Sequence, residues 1–291
     1  MNLHSNHVPE DWKSLAAELG SRRGPFSVYV MGAPDRGKTT LIEYLGCELA
    51  EKFDGIRHVD LAPGQGSIGP PSTLGAVFVR NGKIQTQRHR FVGSVSPPGS
   101  LLQYTAAAAA LKRWAKGVTV IDSCGFTEGD LAVEFQYNLI ELLRPEVVVR
   151  LGTDEGPRRS CAGLEYLPRM EMRELSAPVS ADTKSPEIRA ERRNRRFREC
   201  FRGARTEYID LGEVGLHGKV PERMDETNLR GLLLALCDRQ QWTMAIGMGR
   251  GLTQDGRLSL LVRDYPRKKL ASIQFGSMYL PAMLQSETEY D

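Results

Sequence analysis

Cysteine is sparse in this chain and never paired at short spacing. Cys47, Cys124, Cys161, Cys200 and Cys237 stand far apart among 291 residues. That scatter excludes a CxxC zinc site and a disulfide framework, and points to thiols kept reduced. Long apolar runs are missing too. The longest small-residue run, Thr105 to Leu111, is far short of the roughly 20 apolar residues that a bilayer-crossing helix needs. The opening residues MNLHSNHVPEDWK carry no signal-peptide apolar core, so a cytoplasmic protein without membrane contact is expected. No Asn-Lys-x-Asp stretch occurs, and this argues against a GTPase that reads guanine in the usual way. Charge of one sign is barely in excess, with 39 Lys and Arg against 36 Asp and Glu. The imbalance is local. Between Lys184 and Arg205 nine basic residues face three acidic ones, a pattern that fits either contact with phosphates or a solvated helix face.

What is present is an ordinary soluble composition, 41% hydrophobic and 26% charged, long enough for one large domain or one with a small appendage. Its organising stretch is VYVMGAPDRGKTT, Val28 to Thr40. An apolar strand runs into Gly32-x-x-x-x-Gly37-Lys38-Thr39 and then into a helix, the pattern of a phosphate-binding loop. Gly32 and Gly37 permit a backbone path that turns consecutive N–H groups toward phosphate oxygens. Lys38 then reaches the β- and γ-phosphates, Thr39 offers a hydroxyl to a nucleotide-bound Mg²⁺, and the helix aims its positive end at the same site. Gly32, Ala33, Pro34, Asp35, Arg36, Gly37, Lys38, Thr39 and Thr40 are the candidate ATP-binding residues. A partitioning-type ATPase would carry a second lysine early in the loop, where this chain has Ala33-Pro34-Asp35-Arg36.

The remaining chain alternates strand and helix, which predicts a parallel sheet with helices on both faces. A short amphipathic helix is expected from about Pro9 to Leu19, with Trp12, Leu15, Ala16 and Leu19 on one face. A strand ends near Leu61, followed by a Pro/Gly-rich loop and a strand pair turning at Asn81-Gly82. A helix is read from about Ser100 to Ala115 and a strand over Val118 to Ile121. A further helix covers Asp130 to Leu143, and a strand Glu146 to Leu151. Residues 152–183 read as irregular, and a basic helix follows from Pro186 to Phe201. Beyond it come a strand at YIDLG, an amphipathic helix from about Glu226 to Arg239, and short strands at TMAIGMG, LSLLVRD and ASIQFGSMYL. These make a β-rich appendage that ends in an exposed acidic tail. Asp122 closes an apolar strand at the sheet's C-terminal edge, where phosphate-loop proteins hold metal with carboxylates, although the same residue also suits a turn cap.

Four stretches in order, GAPDRGKTT, DLAPGQGSIGPP, FVGSVSPPGSLLQY with VIDSCGF, and RAERRNRRFRECF, resemble the polynucleotide 5′-hydroxyl kinases. That family includes the kinase subunit of the eukaryotic pre-mRNA cleavage machinery and the nucleolar kinase of ribosomal RNA processing. The likeness runs from about Val28 to Arg205, and GLLLALCDRQQWTMAIGMG is similar to the family's C-terminal region. Only about 24 residues precede the loop, so the N-terminal β-domain of the eukaryotic members is expected to be missing. The resemblance implies an α/β fold: a P-loop NTPase-type parallel sheet flanked by helices, an arginine-rich helical lid and a small β-rich C-terminal region. The expected parts are residues 1–24, 25–205 and 206–291. It also implies ATP and Mg²⁺ as cofactors, an RNA or DNA 5′-hydroxyl end as substrate, and RNA-processing or repair partners.

By the same resemblance Ser123 and Gly125 clasp the phosphate loop or its lysine, while Gln65, Pro70, Pro71 and Ser96 frame the polynucleotide. Arg189, Arg193 and Arg196, at i, i+4 and i+7 on one helix face, with Arg198 beside them, hold the transferred phosphoryl group. The family's Asp-x-Gly-Gln motif, however, reads Ala62-Pro63-Gly64-Gln65 here. Asp60 stands two residues earlier, about 6–7 Å along a strand, and does not simply fill the missing carboxylate's place. Three readings stay open: Asp60 takes over through a shifted loop, Asp122 or another carboxylate takes over, or Ala62 marks a disabled enzyme. Lys38, Asp60, Asp122 and the four arginines are the candidate catalytic residues, and Thr39, Asp60 and Asp122 the candidate metal ligands. A non-catalytic ATP-binding scaffold and a small-molecule (nucleoside) kinase are the alternatives.

Overall fold

A computed structural model of the chain describes residues 8–178 and 185–280. Lys184 and the acidic tail lie outside the described residues. Those described group into two units, residues 8–62, 75–87 and 108–178 in the first and 63–74, 88–107 and 185–280 in the second.

The first unit begins with α1 (Glu10–Gly20), β1 (Ser27–Met31), α2 (Lys38–Ala50) and β2 (Ile56–Asp60). The chain continues through β3 (Thr73–Arg80), β4 (Lys83–Phe91) and α3 (Leu101–Trp114), of which residues 73–74, 88–91 and 101–107 are grouped with the second unit, and β5 (Thr119–Asp122). It closes with α4 (Asp130–Leu143), β6 (Val147–Leu151), α5 (Glu155–Ser160) and β7 (Glu171–Leu175). The strands form one sheet in the order β4-β3-β2-β5-β1-β6-β7. β2, β5, β1, β6 and β7 are parallel, and β3 is antiparallel to β2. The expected alternation is therefore present, and its physical basis is visible in β1. Val28 and Val30 face a core shared with Leu41, Leu45 and Leu49 of α2 and Trp12, Leu15 and Leu19 of α1. Tyr29, on the opposite face, reaches Gln136 of α4. A strand buried on both faces reads as a continuous apolar run, as this one does.

The 152–183 stretch is less irregular than expected, since it holds α5 and β7. β7 is an edge strand with sequence EMREL and little burial, so no apolar alternation marks it. Its charges are instead used laterally: Arg22 and Arg173 each pair with both Glu18 and Glu171.

In the second unit α6 (Pro186–Phe201) is followed by β8 (Arg205–Ile209), β9 (Gly215–Gly218), α7 (Glu226–Leu229), β10 (Leu232–Cys237), β11 (Thr243–Leu252), β12 (Leu258–Val262) and β13 (Ser272–Tyr279). Six strands form a sheet in the order β8-β12-β11-β10-β13-β9. The helix expected from Glu226 to Arg239 is one turn only; the chain turns at Gly231, in the left-handed region, and LLLALC becomes β10. The reason is burial on both faces. Leu233, Ala235 and Cys237 enter one core, and Leu232, Leu234 and Leu236 the other. Such a run has no alternation that separates it from a buried helix. Phe197 and Phe201 of α6 share the first of these cores. The arginine helix therefore groups with the C-terminal strands. The N-terminal helix packs into the core of the first unit. No described helix is long and apolar enough to cross a membrane.

Candidate active site

The loop between β1 and α2 is built as its spacing requires. At Gly32 a Cβ would come within 2.8 Å of the Leu151 carbonyl on β6, so a larger residue would push the loop off the sheet. Gly37 caps α2 with φ 88°, a conformation that L side chains resist. Lys38 is buried and curls over the loop, its Nζ donating to the carbonyls of Gly32 and Ala33, both at 2.9 Å. Thr39 and Thr40 open α2, with Thr39 exposed at its first turn. Arg36 makes a two-pronged ion pair with Asp154, at 3.0 and 2.7 Å. Pro34 and Asp35 form the tip, Asp35 with positive φ.

The two strand-end carboxylates meet at this loop. Asp60 ends β2 and Asp122 ends β5, and the two are direct partners in the parallel register, which puts them on the same face about 4.8 Å apart at the backbone. Asp122 Oδ2 accepts from the Thr39 hydroxyl at 3.2 Å. Burial, and then the charge of Asp60, push the Asp122 carboxyl up to about 7, against the opposing pull of Lys38 and the Thr39 hydrogen bond. Asp60 is 2% exposed, and its Oδ1 accepts the Ala62 N–H at 2.9 Å. The carboxylate is thus turned back onto the backbone of Ala62.

Of the residues expected to clasp the loop, Gly125 lies against Pro34: a Cβ there would be 3.0 Å from the proline ring. Ser123 is anchored by its backbone, whose N–H donates to Val30 at 3.1 Å, while its hydroxyl donates to the Cys124 carbonyl at 3.4 Å. No motif in the sequence marks Gln136, yet it fixes this segment. Fully buried, it accepts from Tyr29 Oη at 2.6 Å and donates to the Phe126 carbonyl at 3.0 Å. Asp154, which orders Arg36, is likewise silent in the sequence. A polar residue within an apolar helical face is the only trace that Gln136 leaves.

The candidates for the polynucleotide side all fall in the second unit. Gln65 donates to the Arg189 carbonyl at 3.3 Å, and Arg196 to the Gly69 carbonyl at 2.6 Å, so α6 is tied to the PGQGSIGPP loop at two points. Arg189, Arg193 and Arg196 are half-buried while Arg192 and Arg195 are exposed; the helix face turned into the core is that of Phe197 and Phe201. Arg193 passes close to Gly64. Arg198 reaches back to Glu191 at 3.3 Å. Pro71 is buried and Pro70 partly so, and Ser96 exchanges hydrogen bonds with Ser94. The site residues thus form two sets, phosphate loop with carboxylates in one unit, and arginine helix with the proline loops in the other.

Residues 32–203 match the model of the family described as mRNA cleavage and polyadenylation factor CLP1 P-loop. A polyribonucleotide 5′-hydroxyl-kinase of Pyrococcus horikoshii is 28% identical over 222 residues, 74% of this chain and 60% of that protein. One from Thermococcus kodakarensis is 27% identical, covering 78% of this chain and 67% of its own length. The polyribonucleotide 5′-hydroxyl-kinase Clp1 of Bos taurus is 26% identical, covering 70% and 52%. The chain therefore spans about 60% of the length of the first of these relatives. The solved complex of wild-type Clp1p with Pcf11p shares the fold, with a TM-score of 0.72 at 13% identity, covering 94% of this chain and 80% of Clp1p's. With more than half of its residues inside the family model and the loop, carboxylates and arginine helix all lying within the match, the chain belongs to the CLP1 P-loop family.

Proposed function

We propose that this chain is an ATP-dependent polynucleotide 5′-hydroxyl kinase. The observation that carries the reading is the in-register pair Asp60 and Asp122 beside Lys38 and Thr39. The Thr39 hydroxyl and the two carboxylates are an all-oxygen donor set, which suits Mg²⁺, and that ion when bound neutralises β- and γ-phosphate oxygens. Lys38 releases its two carbonyls to meet the phosphates. The 5′-oxygen attacks the γ-phosphorus, the bond to the β,γ-bridging oxygen breaks, and ADP leaves. The proton of the attacking hydroxyl needs an acceptor, which Asp60 or Asp122 supplies directly or through a water. Arg193 and Arg196 stabilise charge spreading over the equatorial oxygens.

The names of the relatives favour RNA as the polymer, and the family's place in mRNA cleavage favours RNA-processing partners. Five free cysteines support a reducing, cytoplasmic setting. The second reading, an ATP-holding scaffold without transfer, is favoured by Ala62. Incubation with γ-labelled ATP, Mg²⁺ and 5′-hydroxyl RNA or DNA oligonucleotides separates the two. Label on the oligonucleotide supports the kinase; ATP binding without transfer, with activity appearing in Ala62→Asp, supports the scaffold.

A further inference from the structure

Gln136 stands on the apolar face of α4, among Ala132, Phe135, Leu139 and Ile140, and is fully buried. A buried amide costs free energy unless its donors and acceptor are met. They are met at one particular place. Its Oε1 accepts the Tyr29 hydroxyl at 2.6 Å, and its Nε2 donates to the carbonyls of Phe126 at 3.0 Å and Cys124 at 3.4 Å. Those two carbonyls flank Gly125. We propose that Gln136 is a positioning residue of the nucleotide site: by holding both neighbours of Gly125 it keeps that glycine against Pro34 and so sets the phosphate loop in the shape that binds ATP. The proposal rests on the ATP-binding reading of the loop.

The contact that transmits this is close. A Cβ on Gly125 would lie 3.0 Å from the Pro34 ring and 3.5 Å from its Cα, and Gly125 is not among the residues with positive φ. Glycine is therefore needed there for the approach itself and not for a turn. Pro34 has little freedom to yield, because its ring fixes φ. The peptide that leads into it carries the Ala33 carbonyl, which holds Lys38 Nζ at 2.9 Å. A displacement of Pro34 thus reaches the loop lysine directly.

The segment is fixed at two points. Its start is tied to β1 by the Ser123 N–H, which donates to the Val30 carbonyl at 3.1 Å. Gln136 fixes the stretch that follows, and through the Tyr29 hydroxyl it is itself held by β1, the strand that feeds the loop. All of these residues belong to the first unit. A buried polar network of this kind is rigid when every member is satisfied, and removal of one member leaves the others without partners.

The test is equilibrium ATP binding to the full chain, measured well below the melting temperature of each variant. Gln136→Leu, similar in volume and without donors, is expected to bind ATP about tenfold more weakly. Gly125→Ala, which drives a methyl group against Pro34, should weaken ATP binding as well. The two substitutions together should weaken it no more than the stronger one alone, because both act through one contact. Tyr29→Phe removes only the bond on the acceptor side; it should lower the melting temperature and change ATP affinity by less than about twofold. Gln136→Glu, protonated at this depth and able to donate to one carbonyl, should keep most of the affinity, and it carries the test if the leucine variant does not fold. A lowered melting temperature with unchanged ATP affinity in Gln136→Leu, or losses that multiply in the double variant, overturns the proposal. Lys38→Ala separates the two failures: if it weakens ATP binding while the Gln136 variants do not, the positioning role alone is wrong, and if it has no effect the loop reading falls with it.

Discussion

Asp60 and Asp122 stand side by side at the ends of β2 and β5, paired in register and both buried, with the Thr39 hydroxyl bonded to one and the Ala62 N–H to the other. Two carboxylates this close are an arrangement that folding alone would avoid, and its cost is measurable.

The Asp122 carboxyl, at about 7 in the fold, ordinarily ionises near 4. A group whose folded pKa is raised binds more protons folded than unfolded, so its penalty grows as pH rises from about 4 to about 7 and is complete above that. Asp122→Asn should therefore raise the melting temperature, without nucleotide or Mg²⁺, by several degrees at pH 8 and hardly at all at pH 4. Thermal unfolding across that range checks it, and a lower melting temperature at pH 8 would refute the like-charge account.

The same substitution should abolish transfer. If the chain is active as it stands, Asp60→Asn or Asp122→Asn lowers turnover by about 10²–10⁴-fold, the scale of a lost general base. If it is inactive, Ala62→Asp restores transfer by a similar factor. Robust labelling that neither asparagine variant affects would discard both carboxylate assignments.

Lys38 donates to two backbone carbonyls, and on the proposed reading it is expected to turn to phosphate when ATP binds. Lys38→Ala should weaken ATP binding roughly tenfold to a hundredfold, measured by calorimetry. Unchanged affinity would remove the loop from the site.

For the arginine helix the expected signature is a split. Arg193→Ala should lower kcat by about 10²-fold and leave ATP affinity nearly intact. Arg196→Ala should do the same and in addition raise the KM for the oligonucleotide, because Arg196 also holds the Gly69 carbonyl of the proline loop. Loss of ATP affinity with normal turnover would contradict this role for both.

The phosphate loop and the basic helix were legible in the sequence because each is set by neighbours in the chain. Gly32 and Gly37 fix a local backbone path, and Arg189, Arg193 and Arg196 share a face through helical geometry alone. The helices and parallel strands of the first unit, α5 and β7 apart, followed from the same local periodicity. What the sequence left open is what depends on strands that meet only in the sheet. Nothing in the linear order says that Asp60 and Asp122, separated by 62 positions, become register partners; the parallel pairing of β2 with β5 decides it. Nor does LLLALC announce itself as a strand, since two cores bury both of its faces and erase the alternation. Asp11 and Gln136 lack motif neighbours and acquire their hydrogen-bond partners, the Ser176 N–H and the Tyr29 hydroxyl, only on folding. Short-range geometry can be read along a chain; hydrogen-bond partners and like-charge neighbours across a sheet are set by packing.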